Sequence, residues 1–271
     1  QQLPQAVLGL HDRAAGPVVT PCGARGACYN GGIDTHRRTA PRSPWEGQFS
    51  VMFVTVNGIQ LYYEVAGQGP AMLLLHGNGE DHTTFDVLAK RLESRYTLYM
   101  PDSRGHGQSS PVPHLTYDEM AMDAAAFIRQ LGLEKPVVLG FSDGGIVALL
   151  LACRCPDLVG KLVVCGANRT PKGLRAGTRR AIRLANLLHH SDKLDLMLQQ
   201  PHITDKMLGA ITAPTLVLAG EKDMILPQET RAIARAIPGA RLLVLPGEDH
   251  GSYVEHSDTV WLAMKPFLTG R

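Results

Sequence analysis

Apolar runs and helical stretches alternate along the chain from about residue 53 to its end. A run of about five apolar, often β-branched residues is typical of a strand in a parallel sheet, because helices cover both faces of such a sheet. Runs of this kind occupy residues 71–75, 96–100, 135–139, 161–165, 214–219 and 241–245. Predicted helices lie between them, at residues 84–94, 116–131, 146–153 and 228–236, and a closing helix extends to about residue 268. The alternation predicts one doubly wound α/β sheet.

A hairpin is expected ahead of these strands. Residues 53–65 place Asn57-Gly58 between two apolar runs, and Asn-Gly is a strong signal for a two-residue hairpin turn. The hairpin marks the start of the folded part of the chain.

Two segments depart from the alternating pattern. Residues 1–51 are rich in Gly, Pro, Arg and Thr and lack periodicity, which predicts a disordered leader; a sharper hypothesis is that the native protein starts at Met52 and that the leader is not native. Residues 169–210, called the cap segment below, are mostly helical by periodicity. The core of the fold is therefore expected in residues 52–168 and 211–271.

Composition and charge narrow the class of function. The chain has 271 residues, of which 44% are hydrophobic and 19% charged, as in globular proteins. A formal net charge of +2 gives no reason to expect a nucleic-acid partner. No apolar run approaches the ~20 residues that span a bilayer, so no membrane partner is expected. Five cysteines without zinc-type spacing indicate a reducing compartment, and we expect a cytoplasmic protein.

Ser142 lies where a predicted core strand turns into a predicted helix. Residues 140–145 read Gly-Phe-Ser-Asp-Gly-Gly. So sharp a turn strains the serine backbone, and the glycines let neighbouring backbone approach without a Cβ clash. The turn raises the hydroxyl above the sheet, where a nucleophile is expected. The structural alternative is a glycine-rich turn whose serine merely caps the helix.

A serine nucleophile needs a base to take its proton and an acid to orient the base. His250 follows the last predicted strand, at the same edge of the sheet as Ser142, and is the predicted base. Glu221 and Asp223 follow the penultimate strand, and we choose Asp223 as the acid. Asp249 is a weaker candidate, since neighbouring side chains usually point apart. The order Ser, Asp, His matches the order of triads built on such a turn.

Two backbone N–H groups are the expected oxyanion hole. Asp143 follows the serine at the helix N-terminus, and Asn78 lies in a glycine-rich loop after the strand at residues 71–75. One such donor contributes on the order of 10²–10³ in turnover.

Taken together, these motifs resemble those of the α/β-hydrolase superfamily over residues 52–271. The matching stretches are HGNG at 76–79, DSRGHGQS at 102–109, GFSDGG at 140–145, GEKD at 220–223 and DHG at 249–251. The Asp-Gly-Gly after Ser142 is similar to the biphenyl-hydrolase-like branch of small serine hydrolases and esterases, and to C–C hydrolases. The resemblance implies an eight-stranded, mostly parallel sheet with helices on both faces, a short helical cap between strands six and seven, and no metal or organic cofactor.

The predicted function is that of a serine hydrolase acting on carboxylic esters through an acyl-enzyme intermediate. Its partner is expected to be a small-molecule ester or another acyl substrate, and the short cap favours small substrates. Two alternatives stay open at this point. One is a C–C bond hydrolase of the meta-cleavage type with the same triad, and the other is a non-catalytic ligand-binding member of the superfamily.

Overall fold

The structure, a computed structural model, describes residues 50–270, with the side chains of Ser50 and Val51 left out. The predictions for residues 1–49 therefore lie outside the described residues. Eight strands form one sheet, and they are β1 Ser50–Val56, β2 Ile59–Ala66, β3 Ala71–Leu75, β4 Thr97–Pro101, β5 Val137–Phe141, β6 Lys161–Cys165, β7 Thr215–Gly220 and β8 Arg241–Leu245.

The strand order in the sheet is β1-β2-β4-β3-β5-β6-β7-β8. Strand β2 is antiparallel to both β1 and β4, and all other neighbouring pairs are parallel. The predicted eight-stranded, mostly parallel sheet is thus confirmed. Asn57 and Gly58 join β1 to β2 with φ values of 47° and 81°, the left-handed geometry that favours these two residue types. Strand β1 begins at Ser50 because its pairing with β2 continues as far as Val65, two residues ahead of the predicted start of the core at Met52.

Helices cover both faces of the sheet. They are α1 Asp86–Leu92, α2 Tyr117–Gln130, α3 Asp143–Arg154, α4 Ala176–Leu188, α5 Asp192–Gln199, α6 Asp205–Leu208, α7 Pro227–Ala236 and α8 Thr259–Thr269. Buried side chains of α2, α3, α6 and α7 pack on one face, and those of α1 and α8 pack on the other.

The two apolar faces explain why the central strands are apolar without interruption. In β5, Val138 faces the α2–α3 side and Leu139 faces the α1–α8 side. In β6, Leu162 and Val163 divide in the same way. All four side chains are fully buried, because successive residues of a strand point to opposite faces and both faces carry helices.

The cap segment contains α4, α5 and α6 and lies in the chain between β6 and β7. Helix α4 has no buried residue, whereas α5 buries Leu196 and α6 buries Leu208. None of the helices within residues 50–270 combines the length and the apolar character that a bilayer crossing requires.

Candidate active site

A single residue, Ser142, separates β5 from α3. Its backbone lies at φ 53° and ψ −115°, outside the regions that L-residues usually adopt. A Cβ on Gly140 would overlap the carbonyl oxygen of Gly144, and a Cβ on Gly144 would overlap the carbonyl oxygen of Leu75. The two glycines are therefore required for the close approach that holds the turn.

The hydroxyl of Ser142 lies at the carboxyl edge of the sheet beside the imidazole of His250. The distance from Ser142 Oγ to His250 Nε2 is 3.0 Å, and His250 Nδ1 lies 2.6 Å from Asp223 Oδ1. Because a carboxylate only accepts hydrogen bonds, Nδ1 donates to Asp223 and Nε2 accepts from the serine. The three predicted residues, from the ends of β5, β7 and β8, are thus brought together. Such an arrangement can move a proton from the hydroxyl to the imidazole.

Asp223 is held on several sides. Its side chain is 3% exposed, and Oδ1 also accepts a hydrogen bond of 2.8 Å from the backbone N–H of Ile225. Arg175 Nε donates to the Asp223 backbone carbonyl at 2.6 Å. Of the other two carboxylates considered for the acid, Glu221 accepts from the N–H of Gly247 and Asp249 from the N–H of Gly251. Asp223 is therefore the one of these three whose carboxylate bonds the His250 ring.

The His250 ring is confined by neighbours from two strands. Its centroid lies 5.2 Å from that of Phe141 at the end of β5. Gly166, just after β6, has a φ of 61°, and a Cβ there would lie 2.9 Å from His250 Cε1. The role of Gly166 was not predicted from the sequence. A glycine directly after a buried strand was the available signal, but its partner is 84 residues away in the chain, and only the packing of the sheet shows it.

Asp143, which directly follows the serine, is joined to Asn78 through the two side chains. Asn78 Nδ2 donates to Asp143 Oδ2 at 2.7 Å and to the backbone carbonyl of Lys193, at the start of α5, at 3.1 Å. The hydroxyl of Tyr117 donates to Asp143 Oδ1 at 2.7 Å. Burial raises the pKa of the Asp143 carboxyl from its ordinary value of 3.8 to about 6, although the bonds from Asn78 and Tyr117 and the charge of His250 oppose this rise. The bond from Tyr117 was not predicted, because the sequence pattern indicates only that a helix starts there.

The backbone N–H groups of Asn78 and Asp143 are the predicted oxyanion donors. Asp143 is the first residue of α3, so its N–H has no acceptor within the helix. No residue within the described range 50–270 accepts a hydrogen bond from either N–H. Both groups are thus available to a ligand oxygen.

The loop that carries Asn78 is fixed by its own hydrogen bonds. His76 Nδ1 lies 2.8 Å from the carbonyl of Gly77, and His76 Nε2 accepts from the N–H of Ser103 at 2.9 Å. Glu80 Oε2 accepts from the N–H of Gly77 at 2.9 Å. These bonds set the direction of the loop backbone before any substrate binds.

A small cavity opens at Ser142 and His250. Its free volume is about 10 Å³, on the order of the space that one water molecule needs. The remaining lining residues are Tyr117, Asp143, Asn168, Leu174, Met197, Gln200, Met224 and Ile225. Leu174, Met197 and Gln200 belong to the cap segment, which therefore forms one wall of the site.

A second buried polar cluster lies further along the same loop. His82 Nδ1 lies 2.7 Å from Asp102 Oδ1, and His82 Nε2 lies 3.3 Å from Glu64 Oε1. Since both acceptors are carboxylates, both ring nitrogens carry protons and His82 is an imidazolium. Burial alone lowers the pKa of His82, but the hydrogen bonds to Asp102 and Glu64 outweigh it and raise that pKa to about 10.

Two groups of side chains have the spacing of metal ligands. Asp81, His82 and Asp102 offer ligand atoms within 4.8 Å of one another, as do His190, Asp192 and Asp195. In the first group, His82 and Asp102 already bond each other, and the second group is largely exposed. We therefore assign neither group to a metal.

Comparison with known proteins gives consistent matches. A family profile described as alpha/beta hydrolase fold matches residues 70–200, and one described as TAP-like protein matches residues 195–270. The mouse (Mus musculus) protein named Serine hydrolase BPHL is 30% identical over 247 residues, covering 79% of this chain and 85% of that protein. The human (Homo sapiens) protein of the same name is 29% identical over 263 residues, covering 85% and 90%. Among solved structures, a thermophilic esterase from Thermogutta terrifontis has a TM-score of 0.67 and 25% sequence identity, and the match covers 82% of this chain and 98% of that one.

Proposed function

Because the chain belongs to the alpha/beta hydrolase fold family, we propose that it is a serine hydrolase that cleaves small carboxylic esters through an acyl-enzyme intermediate. The relatives named serine hydrolase and the structural neighbour named esterase support hydrolase activity. The step from hydrolase to ester hydrolase rests on the chemistry of the site.

The proposal is carried by one observation, the chain of contacts from Ser142 Oγ to His250 Nε2 at 3.0 Å and from His250 Nδ1 to Asp223 Oδ1 at 2.6 Å. In the first step, Ser142 Oγ forms a bond to the ester carbonyl carbon while His250 Nε2 takes the hydroxyl proton. The tetrahedral intermediate then collapses, the bond to the alcohol oxygen breaks, and His250 returns the proton to the departing alcohol.

Water completes the cycle. His250 takes a proton from a water molecule as its oxygen attacks the acyl carbon, and the bond to Ser142 Oγ breaks as the same proton returns to the serine. The products are a carboxylic acid and the alcohol released in the first half. A serine also excludes the routes of this fold that require a carboxylate nucleophile.

Asp223 stabilises the imidazolium that forms in both halves of the reaction. It is nearly inaccessible to solvent, so its charge acts on the ring with little screening by water. It also holds Nδ1 protonated, which leaves Nε2 free to accept the serine proton.

The developing oxyanion is bound by the N–H groups of Asn78 and Asp143 in this scheme. The Asp143 N–H points from the N-terminus of α3, where the helix dipole favours negative charge. The side-chain bond between Asn78 and Asp143 links the two donors, so that their separation is set before the substrate arrives.

The size of the cavity favours small acyl groups. With a free volume of about 10 Å³, the cavity has to widen for any acyl group, and a long chain requires a larger opening than a short one. We expect acetate and butyrate esters to be cleaved faster than octanoate and palmitate esters.

The test is the hydrolysis of p-nitrophenyl acetate, butyrate, octanoate and palmitate by the wild type, by Ser142→Ala and by Ser94→Ala. Ser94 is an exposed serine away from the site and serves as the matched control. We expect Ser142→Ala to lose turnover by a factor on the order of 10⁴ or more, while Ser94→Ala keeps wild-type rates. A fluorophosphonate should label the wild type once, and mass spectrometry should find the label on the peptide that contains Ser142.

Turnover that survives in Ser142→Ala would refute the nucleophile. Labelling at Ser142 with no turnover of any ester, but cleavage of a vinylogous diketone, would favour the C–C bond hydrolase instead. A stoichiometric burst without turnover on all these substrates would favour a binding protein.

A further inference from the structure

Helix α4 of the cap segment exposes three large apolar side chains. Leu184, Leu187 and Leu188 are 58%, 82% and 66% exposed, and no residue of the helix is buried. Apolar side chains exposed one at a time are common, but three on one short helix form a patch that is typical of a contact surface.

The three leucines lie on one side of the helix. Their spacing of three and four residues places them in adjacent turns along the same face. The half-buried residues Thr178, Arg179, Ile182 and Asn186 lie on the other side. The leucine face therefore points away from the rest of the protein.

Helix α4 itself carries charge of one sign, and Asp195 of the adjacent α5 is bonded to Asn186 and His190. From Arg169 to His190 the chain carries six Lys or Arg residues and no Asp or Glu. Two of them, Arg180 and Arg183, are exposed on α4, and neither guanidinium bonds to any residue in the described range. An apolar stripe next to unpaired cations is the pattern of helices that lie in the boundary of a negatively charged lipid surface.

We propose that α4 docks the protein on an anionic lipid surface, with the leucine face inserted at the headgroup level and Arg180 and Arg183 on the lipid phosphates. A second copy of this chain fits the same face less well. A symmetric contact between two α4 helices would bring their arginines together, and α4 has no carboxylate to compensate them.

The N-terminal end of α4 is joined directly to the active site. Leu174, which lines the cavity, and Arg175, which bonds the Asp223 carbonyl, directly precede α4. The docking itself is independent of the proposed chemistry.

This inference departs from the expectation of no membrane partner. That expectation followed from the absence of a long apolar run, which is required to span a bilayer but not to lie on its surface. The fold leaves one face of α4 exposed. The leucines and arginines, which alternate irregularly in the sequence, are thereby presented together on the surface.

The test is sedimentation of the full chain with vesicles of phosphatidylcholine alone and of phosphatidylcholine with an equal amount of phosphatidylglycerol. We compare the wild type with Arg180→Gln/Arg183→Gln and with Leu184→Ser/Leu187→Ser/Leu188→Ser. The matched controls change other exposed side chains, Lys206→Gln/Arg231→Gln and Leu262→Ser. Circular dichroism and cleavage of p-nitrophenyl butyrate in solution verify that each variant is folded.

We expect the wild type to bind the anionic vesicles and not the neutral ones. The arginine variant should bind about 30-fold more weakly, since each basic residue near such a surface contributes about 1 kcal/mol and 1.4 kcal/mol is tenfold. The leucine variant should bind at least tenfold more weakly, and both controls should bind as the wild type does. Ser142→Ala should also bind normally, which separates docking from catalysis.

Three results would overturn the proposal. The first is no difference between the two vesicle types, and the second is binding that the α4 variants leave unchanged. The third is a concentration-dependent dimer of the wild type that the leucine variant abolishes, which would assign the face to a second copy.

Discussion

Replacing Asp143 by Asn should stabilise the protein at neutral pH, and the effect should depend on pH. Asp143 is 3% exposed and carries a carboxylate that receives hydrogen bonds from Asn78 and Tyr117. An asparagine has the same shape, and its oxygen can accept from Asn78 while its NH₂ donates to the Tyr117 oxygen after the hydroxyl turns. Both contacts are kept and the buried charge is removed, but the Tyr117 O–H loses its acceptor, a loss that does not depend on pH.

The magnitude follows from the pKa of the carboxyl. Burial raises it from 3.8 to about 6, and one pKa unit corresponds to about 1.4 kcal/mol, so ionised Asp143 costs the folded state about 3 kcal/mol. The folded protein binds this proton more tightly than the unfolded chain does between the two pKa values. The contribution of Asp143 to the free energy of unfolding therefore falls as the pH rises from about 4 through about 6. Above about pH 6 this contribution is at its lowest.

Urea unfolding of the wild type and Asp143→Asn, from pH 4.5 to pH 8, measures the effect. We expect the free energy of unfolding of the variant, relative to that of the wild type, to increase by about 2 kcal/mol between pH 4.5 and pH 8. Asp157→Asn is the matched control, because Asp157 is exposed, and its curve should run parallel to that of the wild type.

A constant difference between Asp143→Asn and the wild type across this pH range would refute the reasoning. The reasoning would also be refuted if the free energy of unfolding of the variant, relative to that of the wild type, were lower at pH 8 than at pH 4.5. Either result would mean that the carboxylate is compensated more fully than its burial indicates.

Two further substitutions test the packing around the site. Gly166→Ala should lower kcat for p-nitrophenyl butyrate by about 100-fold, since its Cβ would displace the His250 ring and small misplacements of catalytic groups have effects of this size; Gly239→Ala, with a similar φ of 69° and no atom near the new Cβ, should keep its activity. Equal activity of the two variants would contradict the assigned contact. His82→Leu should lower the free energy of unfolding by about 3–5 kcal/mol at pH 7, because it leaves two buried carboxylates without their cation. The stability that His82 contributes is complete below pH 6.5 and is lost as the pH rises through about 10. Urea unfolding should therefore show a smaller difference between His82→Leu and the wild type above pH 10 than at pH 7. A difference that does not change with pH would rule out the ion pairs as its cause.

The sheet could be predicted from the sequence because its signals are local. Strands β3 and β6 coincide with the predicted apolar runs, and Asn57-Gly58 specifies the hairpin turn by its own backbone preference. The turn at Ser142 is local as well, since two glycines and one serine within five residues determine it. Chain order alone then placed His250 and Asp223 at the same edge of the sheet.

The contacts between distant residues could not be predicted. Asn78 was chosen for its backbone N–H, but its side chain also bonds Asp143 and the carbonyl of Lys193, which is 115 residues away. One partner of His82, Glu64, lies in β2, and the other, Asp102, directly follows β4. Such bonds depend on how loops are oriented after the sheet has formed, and hydrophobic periodicity contains no information about that orientation.

At Ser142, the residue type that is best for stability differs from the one that is required for activity. A glycine would adopt φ 53° and ψ −115° with less strain than serine does, so selection for thermal resistance alone would drive this position to glycine and remove the hydroxyl. A library screened only for folded protein should therefore accumulate inactive sequences here first. Any programme of directed evolution on this scaffold has to screen for turnover and for heat tolerance in the same round.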